Sequence, residues 1–179
     1  MKVIAASSLP EVDPIDGFRF WSNQPFSRDL LQPLKEEGES NNVKPVSGLW
    51  LSPLLNGHTD CWGEFLDTAG WHSYAPHRVE VNPATSVMVL DSVEDIDEYT
   101  SSFCTPWETA SLIMTFNASK FLSQDIPALY ISRNGIRASR RHSQAVNRVW
   151  DVLSLWINDP LGIYIQRVEP ESASVRSYL

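Results

Sequence analysis

The stretch Lys44-Pro45-Val46-Ser47-Gly48-Leu49-Trp50-Leu51-Ser52-Pro53 leaves the chain few options. Neither Pro45 nor Pro53 can donate to a hydrogen-bond ladder, and each pushes its predecessor toward extended geometry, so a short strand fenced by breakers is expected between them. Gly48 permits a bulge or a close backbone approach. In a strand, side chains two apart share a face, so Trp50 and Ser52 point the same way. Two roles are open to this pair. An indole beside a hydroxyl can wall a pocket for a flat ligand; alternatively, Trp50 fills core volume and Ser52 satisfies a turn at the strand end.

With 179 residues, 42% of them hydrophobic and 20% charged, the chain suffices for one domain with a sizeable core. Residues 1–179 are therefore read as a single α+β domain, with 1–16 and 169–179 as flexible ends. No apolar run approaches the roughly 20 residues that span a bilayer, and the N-terminal Met1 to Ser8 lacks a complete secretory pattern. With cysteine only at Cys61 and Cys104, neither a disulfide framework nor a paired zinc motif is present in the sequence, and a cytoplasmic location is expected. The net charge of −8 is unevenly spread: residues 1–100 hold 16 acidic and 6 basic side chains, residues 101–179 hold 6 and 8. Cationic character gathers at Arg133, Arg137, Arg140, Arg141 and Arg148, with His142 beside them. This is the candidate surface for a phosphate-bearing target, and its bland counterpart is a solvated helix face.

Along the chain, the aromatic run Phe18-Arg19-Phe20-Trp21-Ser22 predicts a buried strand with Arg19 and Trp21 on one face. Residues 28–36 suggest a short helix or turn, and 36–42 a surface loop. Trp62, Phe65 and Leu66 fall at helical spacing after a cap at Thr59 or Asp60, with Gly70 ending the helix. Two strands follow, around 78–82 and 87–90, and a helix over 93–103 capped by Asp91 or Ser92. Residues 108–116 are expected to be helical and 128–131 extended. Asn134-Gly135 predicts a turn, with Ile136 opening a further extended piece before a basic helix near 140–148. The last strands are expected within 149–157 and 162–168. Of the seven tryptophans, Trp62, Trp150 and Trp156 are expected in the core, whereas Trp21 and Trp50 are the pocket candidates.

The sequence contains no phosphate-binding glycine loop, no H-E-x-x-H, no EF-hand and no G-x-S-x-G element. Four histidines, His58, His72, His77 and His142, match no zinc-ligand spacing, so no metal site is expected.

The order of motifs carries a resemblance. An Arg-aromatic-Ser strand at Arg19 to Ser22 precedes Lys-Pro-x-x-Gly-Leu-Trp-x-Ser; a Trp-containing helix, Val79-Glu80-Val81, Val87 to Leu90 and an acidic helix follow. Trp150-Asp151-Val152 closes the series. This layout resembles a group of small uncharacterised bacteriophage proteins, and it is similar to the ADP-ribosyltransferase fold. That resemblance implies a mixed or antiparallel split β-sheet flanked by short helices, and an activity that uses NAD. Carried onto this chain, Arg19, Ser22, Trp50 and Trp21 would bind the nucleotide, and Ser52 and Asp151 would be catalytic, with Glu169 as the other carboxylate. Arg133, Arg137, Arg140 and Arg141 would face a phosphate-bearing target. The Gln/Glu-x-Glu pattern of that family is missing, and Asp151 is shorter than the Glu it would replace.

Two functions follow as expectations. One is a NAD-dependent ADP-ribosyltransferase-like protein acting in the cytoplasm, that of a host cell if the chain is phage-encoded. The other is a non-enzymatic accessory protein that binds a host protein through its acidic N-terminal part, or sequesters a nucleotide signal. Neither requires a membrane.

Overall fold

Alternating and apolar segments form the strands of the computed structural model, which describes residues 1–12, 17–24, 43–45, 47–55, 59–71, 73–107, 110–142, 154–157 and 165–170. The described strands are β1 (Lys2–Ala5), β2 (Phe18–Ser22), β3 (Leu49–Leu55), β4 (Thr59–Asp60), β5 (Ala75–Val81), β6 (Ser86–Leu90), β7 (Cys104–Trp107), β8 (Ala110–Phe116), β9 (Ala128–Ile131), β10 (Ser154–Ile157) and β11 (Ile165–Pro170). The helices are α1 (Cys61–Thr68), α2 (Val93–Phe103), α3 (Ala118–Leu122) and α4 (Arg133–His142). The fold is α+β: one mixed sheet with short helices.

Nine strands form the main sheet in the order β1-β6-β9-β10-β3-β2-β5-β11, with β4 paired to β3, and β7-β8 make a separate two-stranded ribbon. Among the described pairs only β6 and β9 run parallel; α2, the ribbon and α3 lie between them in the chain, as a parallel crossover requires. Each face of the sheet packs its own cluster. One joins Val87, Val89, Tyr130, Leu155, Leu51, Phe18 and Val79 beneath Ala6 and Leu9. The other joins Met88, Leu90, Leu129, Ile131 and Trp156 to Ile96, Tyr99 and Phe103 of α2, Phe116 of β8 and Phe121 of α3.

The segment before β3 is strapped across this second cluster by three side-chain donors. Tyr99 Oη donates to the Val43 carbonyl at 2.7 Å, Trp50 Nε1 to that of Pro45 at 3.3 Å, and Trp156 Nε1 to that of Ser47 at 2.7 Å. Gly48 makes the close approach possible. Its φ is +87°, and a Cβ there would collide with Trp156 Nε1 and lie 2.7 Å from the Ile157 carbonyl oxygen. The glycine read from sequence as a site of close approach is one.

Pro53 does not end the strand as expected. It pairs with Phe18, and because Leu54 N donates to the Gly17 carbonyl, position 53 faces away from β2, where the missing N–H falls. On that side β3 pairs with β10 at 49–51 and with β4 at 54–55, so Pro53 sits between the two partners.

Two other expectations are corrected. Residues 110–116 form strand β8 rather than a helix: paired with β7, they bring Thr115 opposite Thr105, and the Thr115 hydroxyl donates to the Thr105 carbonyl at 3.2 Å. Asn134-Gly135 is not a turn but the first turn of α4, because the Ser132 hydroxyl accepts from Gly135 N at 3.1 Å and caps the helix. A Cβ on Gly135 would strike the Leu90 carbonyl, so packing against β6 explains the glycine. The basic helix thus begins at Arg133 and is described to His142. The segments expected at 28–36 and 36–42, together with 149–153 and Trp150, lie outside the described residues.

Ser92 caps α2 through a complete capping box with Asp95. Burial alone would raise the Asp95 carboxyl, but the Asp91 backbone N–H, the Met1 ammonium and Ser92 outweigh it and hold it below its ordinary 3.8. A carboxyl lowered by folding stabilises the fold above its unfolded pKa, and that contribution disappears as the pH falls through the folded value. The stability gap between wild type and Asp95→Asn in urea unfolding is therefore expected to be present at neutral pH and to close below 3.8. Gly48→Ala is expected to cost about 2–4 kcal/mol in the same assay, from left-handed strain plus overlap with Trp156.

Candidate functional site

Strand register brings several of the sequence-derived candidates into a single row. Ser52 of β3 lies directly opposite Arg19 of β2, Arg19 lies opposite Arg78 of β5, and Arg78 lies opposite Glu169 of β11. Directly opposed residues of antiparallel strands share a face, with Cβ atoms about 5 Å apart. These four side chains therefore line one face in consecutive strands. Trp50 and Trp21, each two residues along its strand, lie on that same face, as do Glu80 and Arg167, which oppose each other. Ser22 points to the opposite face with Phe18 and Phe20, and its hydroxyl accepts from Gln24 N at 3.1 Å.

On the β6-β9-β10 side this face is covered by α2 and α3 and is apolar. Past β10 it turns polar. Arg19 is nonetheless only 6% exposed, and its Nη1 donates to the Phe18 carbonyl at 3.4 Å. Arg78 is exposed, and Glu169 is half-buried in an ion pair of 2.5 Å with Arg167. The register sets a buried and an exposed arginine in opposed positions, with a serine on one flank and a glutamate on the other. Such a surface can grip an anionic group, and its carboxylate can stabilise a neighbouring positive centre.

Trp50 and Ser52 also serve the fold. The Trp50 indole is half-buried, held by the Pro45 carbonyl and tilted against Trp156 with ring centroids 6.4 Å apart. Ser52 is wholly buried, and its hydroxyl accepts from Trp62 N at 3.1 Å, which satisfies a donor in the first turn of α1.

The basic residues stand elsewhere. Arg133, Arg137 and Arg140 are exposed on α4, which follows β9, and β10 and β3 separate β9 from β2. Arg133 pairs with Glu11 at 3.6 Å. Arg141 continues the helix, but its side chain lies outside the described residues, as does Asp151. A cleft of about 370 Å³ lies at the far edge of the sheet, between Val3, Met88, Phe103 and Ile126, and does not include the row. Among the described residues no cluster of His, Cys, Asp and Glu could hold a metal ion, and no helix is long and apolar enough to cross a membrane.

Sequence reasoning missed Arg78. The alternation Arg78-Val79-Glu80-Val81 marks a strand, but only its pairing with β2 sets Arg78 against Arg19. No protein-family model matches the chain, and no curated protein and no solved structure matches it either.

Ser52→Ala removes the acceptor for Trp62 N inside a fully buried setting. The expected cost is about 1–2 kcal/mol, read as a lower urea midpoint at unchanged slope.

Proposed function

We propose that this protein is an ADP-ribosyltransferase-like nucleotide-binding protein that uses NAD and acts on a phosphate-bearing target. One observation carries the reading: Arg19 and Ser52 oppose each other on neighbouring strands and share their row with a late-strand carboxylate, Glu169. In that fold an early strand supplies Arg or His, the next an aromatic-Ser element and a late strand the acid; β2, β3 and β11 carry Arg19, Trp50 with Ser52, and Glu169 in that order.

The roles follow from charge and reach. Arg19, with Arg78 beside it, would bind the pyrophosphate or ribose oxygens by charge-assisted hydrogen bonds. Trp50, with Trp21 near it, offers a ring for nicotinamide, and Ser52 holds the first turn of α1 beside that ring through Trp62 N. NAD supplies the labile glycosidic bond: its electron pair leaves with nicotinamide, and the acceptor forms the new bond at the anomeric carbon and loses a proton. Glu169 or Asp151 would stabilise the cationic sugar between those events. The α4 arginines would draw in the phosphate-bearing acceptor.

Nicotinamide release and calorimetry with NAD test this. Glu169→Gln is expected to slow release about 100-fold with an unchanged melting midpoint, and Arg19→Lys to weaken NAD binding about tenfold, since an ammonium cannot reproduce a two-pronged contact. A normal rate in Glu169→Gln with loss in Asp151→Asn would assign the acid to Asp151. Absence of both NAD binding and nicotinamide release, with DNA, RNA and protein acceptors offered, would sink the proposal.

A further inference from the structure

Four aromatic rings run in sequence from α1 into the segment after it. Trp62 meets Phe65 edge-on with centroids 5.4 Å apart, Phe65 meets Trp71 edge-on at 6.1 Å, and Trp71 stacks on Tyr74 at 6.1 Å with 24° between planes. Helical spacing predicts an inward apolar face for Trp62, Phe65 and Leu66, yet only Leu66 is fully buried. Phe65 is 39% and Trp71 51% exposed.

Part of this geometry belongs to the end of the helix. Gly70, with φ +74°, donates to the Asp67 carbonyl at 3.1 Å, and Trp71 N donates to that of Leu66 at 2.8 Å. This double bond pattern terminates a helix and is normally joined by an apolar contact across it, which Phe65 and Trp71 provide. The contact accounts for one edge of Trp71. It does not account for the stacking of Trp71 on Tyr74, nor for half of an indole left in water.

Along the sequence, the Lys and Arg content of the stretch between Lys44 and Arg78 is nil. The charged side chains described on α1 are Glu64 and Asp67, both exposed. Exposed aromatic faces beside carboxylates attract a cation, and a planar guanidinium stacks on indole better than an ammonium does. A nucleic-acid strand also stacks on aromatic rings, but these carboxylates would repel its phosphates.

We propose that the Trp62-Phe65-Trp71-Tyr74 ladder, flanked by Glu64 and Asp67, is a docking surface for an arginine-rich segment of a partner protein. The ladder begins next to the Arg19 row, since Trp62 N is held by the Ser52 hydroxyl, and runs away from it to Trp71 and Tyr74. Arginine side chains of the partner lie across the exposed face of Trp71, which Tyr74 backs, and pair with the two carboxylates.

Calorimetry and indole N–H NMR with an acetylated hexa-arginine amide, against the hexalysine analogue, test the proposal. Hexa-arginine is expected to bind at least about threefold more tightly and to shift the Trp71 indole signal. Trp71→Ala and Tyr74→Ala should each weaken binding about 3- to 10-fold. Trp71→Leu keeps the apolar contact with Phe65 but has no π face, and should weaken binding equally even if Trp71→Ala fails to fold. Glu64→Gln with Asp67→Asn should reduce both affinity and its salt dependence. Equal affinity for the two peptides, or wild-type binding by Trp71→Leu, would reduce the effect to net charge and overturn the proposal. A dimer in sedimentation that dissolves in Trp71→Leu would overturn it in favour of a second copy of the chain.

Discussion

The indole of Trp156, wholly buried on β10, donates to the Ser47 carbonyl at 2.7 Å and packs against Phe116, Phe121 and Trp50. One side chain thereby links the middle of the sheet, the β7-β8 ribbon, α3 and the strap that leads into β3. A buried indole N–H left without an acceptor costs about 1–3 kcal/mol, so this acceptor is strongly specified. Gly48 is the second half of the constraint, because any side chain there would displace the indole. With the strap held, the position of β3 follows, and with it those of Trp50 and Ser52. The candidate site therefore inherits its rigidity from a contact on the apolar half of the sheet.

The candidate row arises where the apolar cover of α2 and α3 gives way to α1, whose Trp62 N is held by Ser52. On one half of this face, α2, α3 and the ribbon supply apolar partners, and the strands answer with Met88, Leu90, Leu129, Ile131 and Trp156. Across β2, β5 and β11 the same face carries Arg19, Arg78, Glu80, Arg167 and Glu169 in opposed pairs. Opposite charges stabilise such pairs modestly, whereas Arg19 and Arg78 place like charges in directly opposed positions. The aromatic ladder starts beside this row at Trp62, and the charges described on α1, Glu64 and Asp67, are of the opposite sign.

Several elements were legible from residues alone because their signals are local. The aromatic run at Phe18–Ser22, the helix cap read at Asp91 or Ser92, the glycine stop at Gly70 and the apolar run at Val87–Leu90 each state their own geometry within a few residues. The α+β class followed from their mixture. The failures were of another kind. Residues 110–116 carry no decisive local period, and the partner strand β7 decides their conformation. Asn134-Gly135 has strong turn chemistry, but Ser132 beneath it and the close Leu90 carbonyl make it the opening of a helix.

The sequence by itself determined which residues could bear chemistry here: a lone arginine within an aromatic strand, an indole and a hydroxyl two apart, and a carboxylate near the last strand. It also determined that Gly48 permits close approach. Which of these residues meet was a tertiary decision. Cross-strand register is set by pairing between segments that lie far apart in the chain, and β2, β3, β5 and β11 come from residues 18 to 170. A shift of one residue in any of them would turn Arg19, Ser52 or Glu169 to the other face, so only the folded sheet could set Arg78 beside Arg19 and leave Ser22 behind.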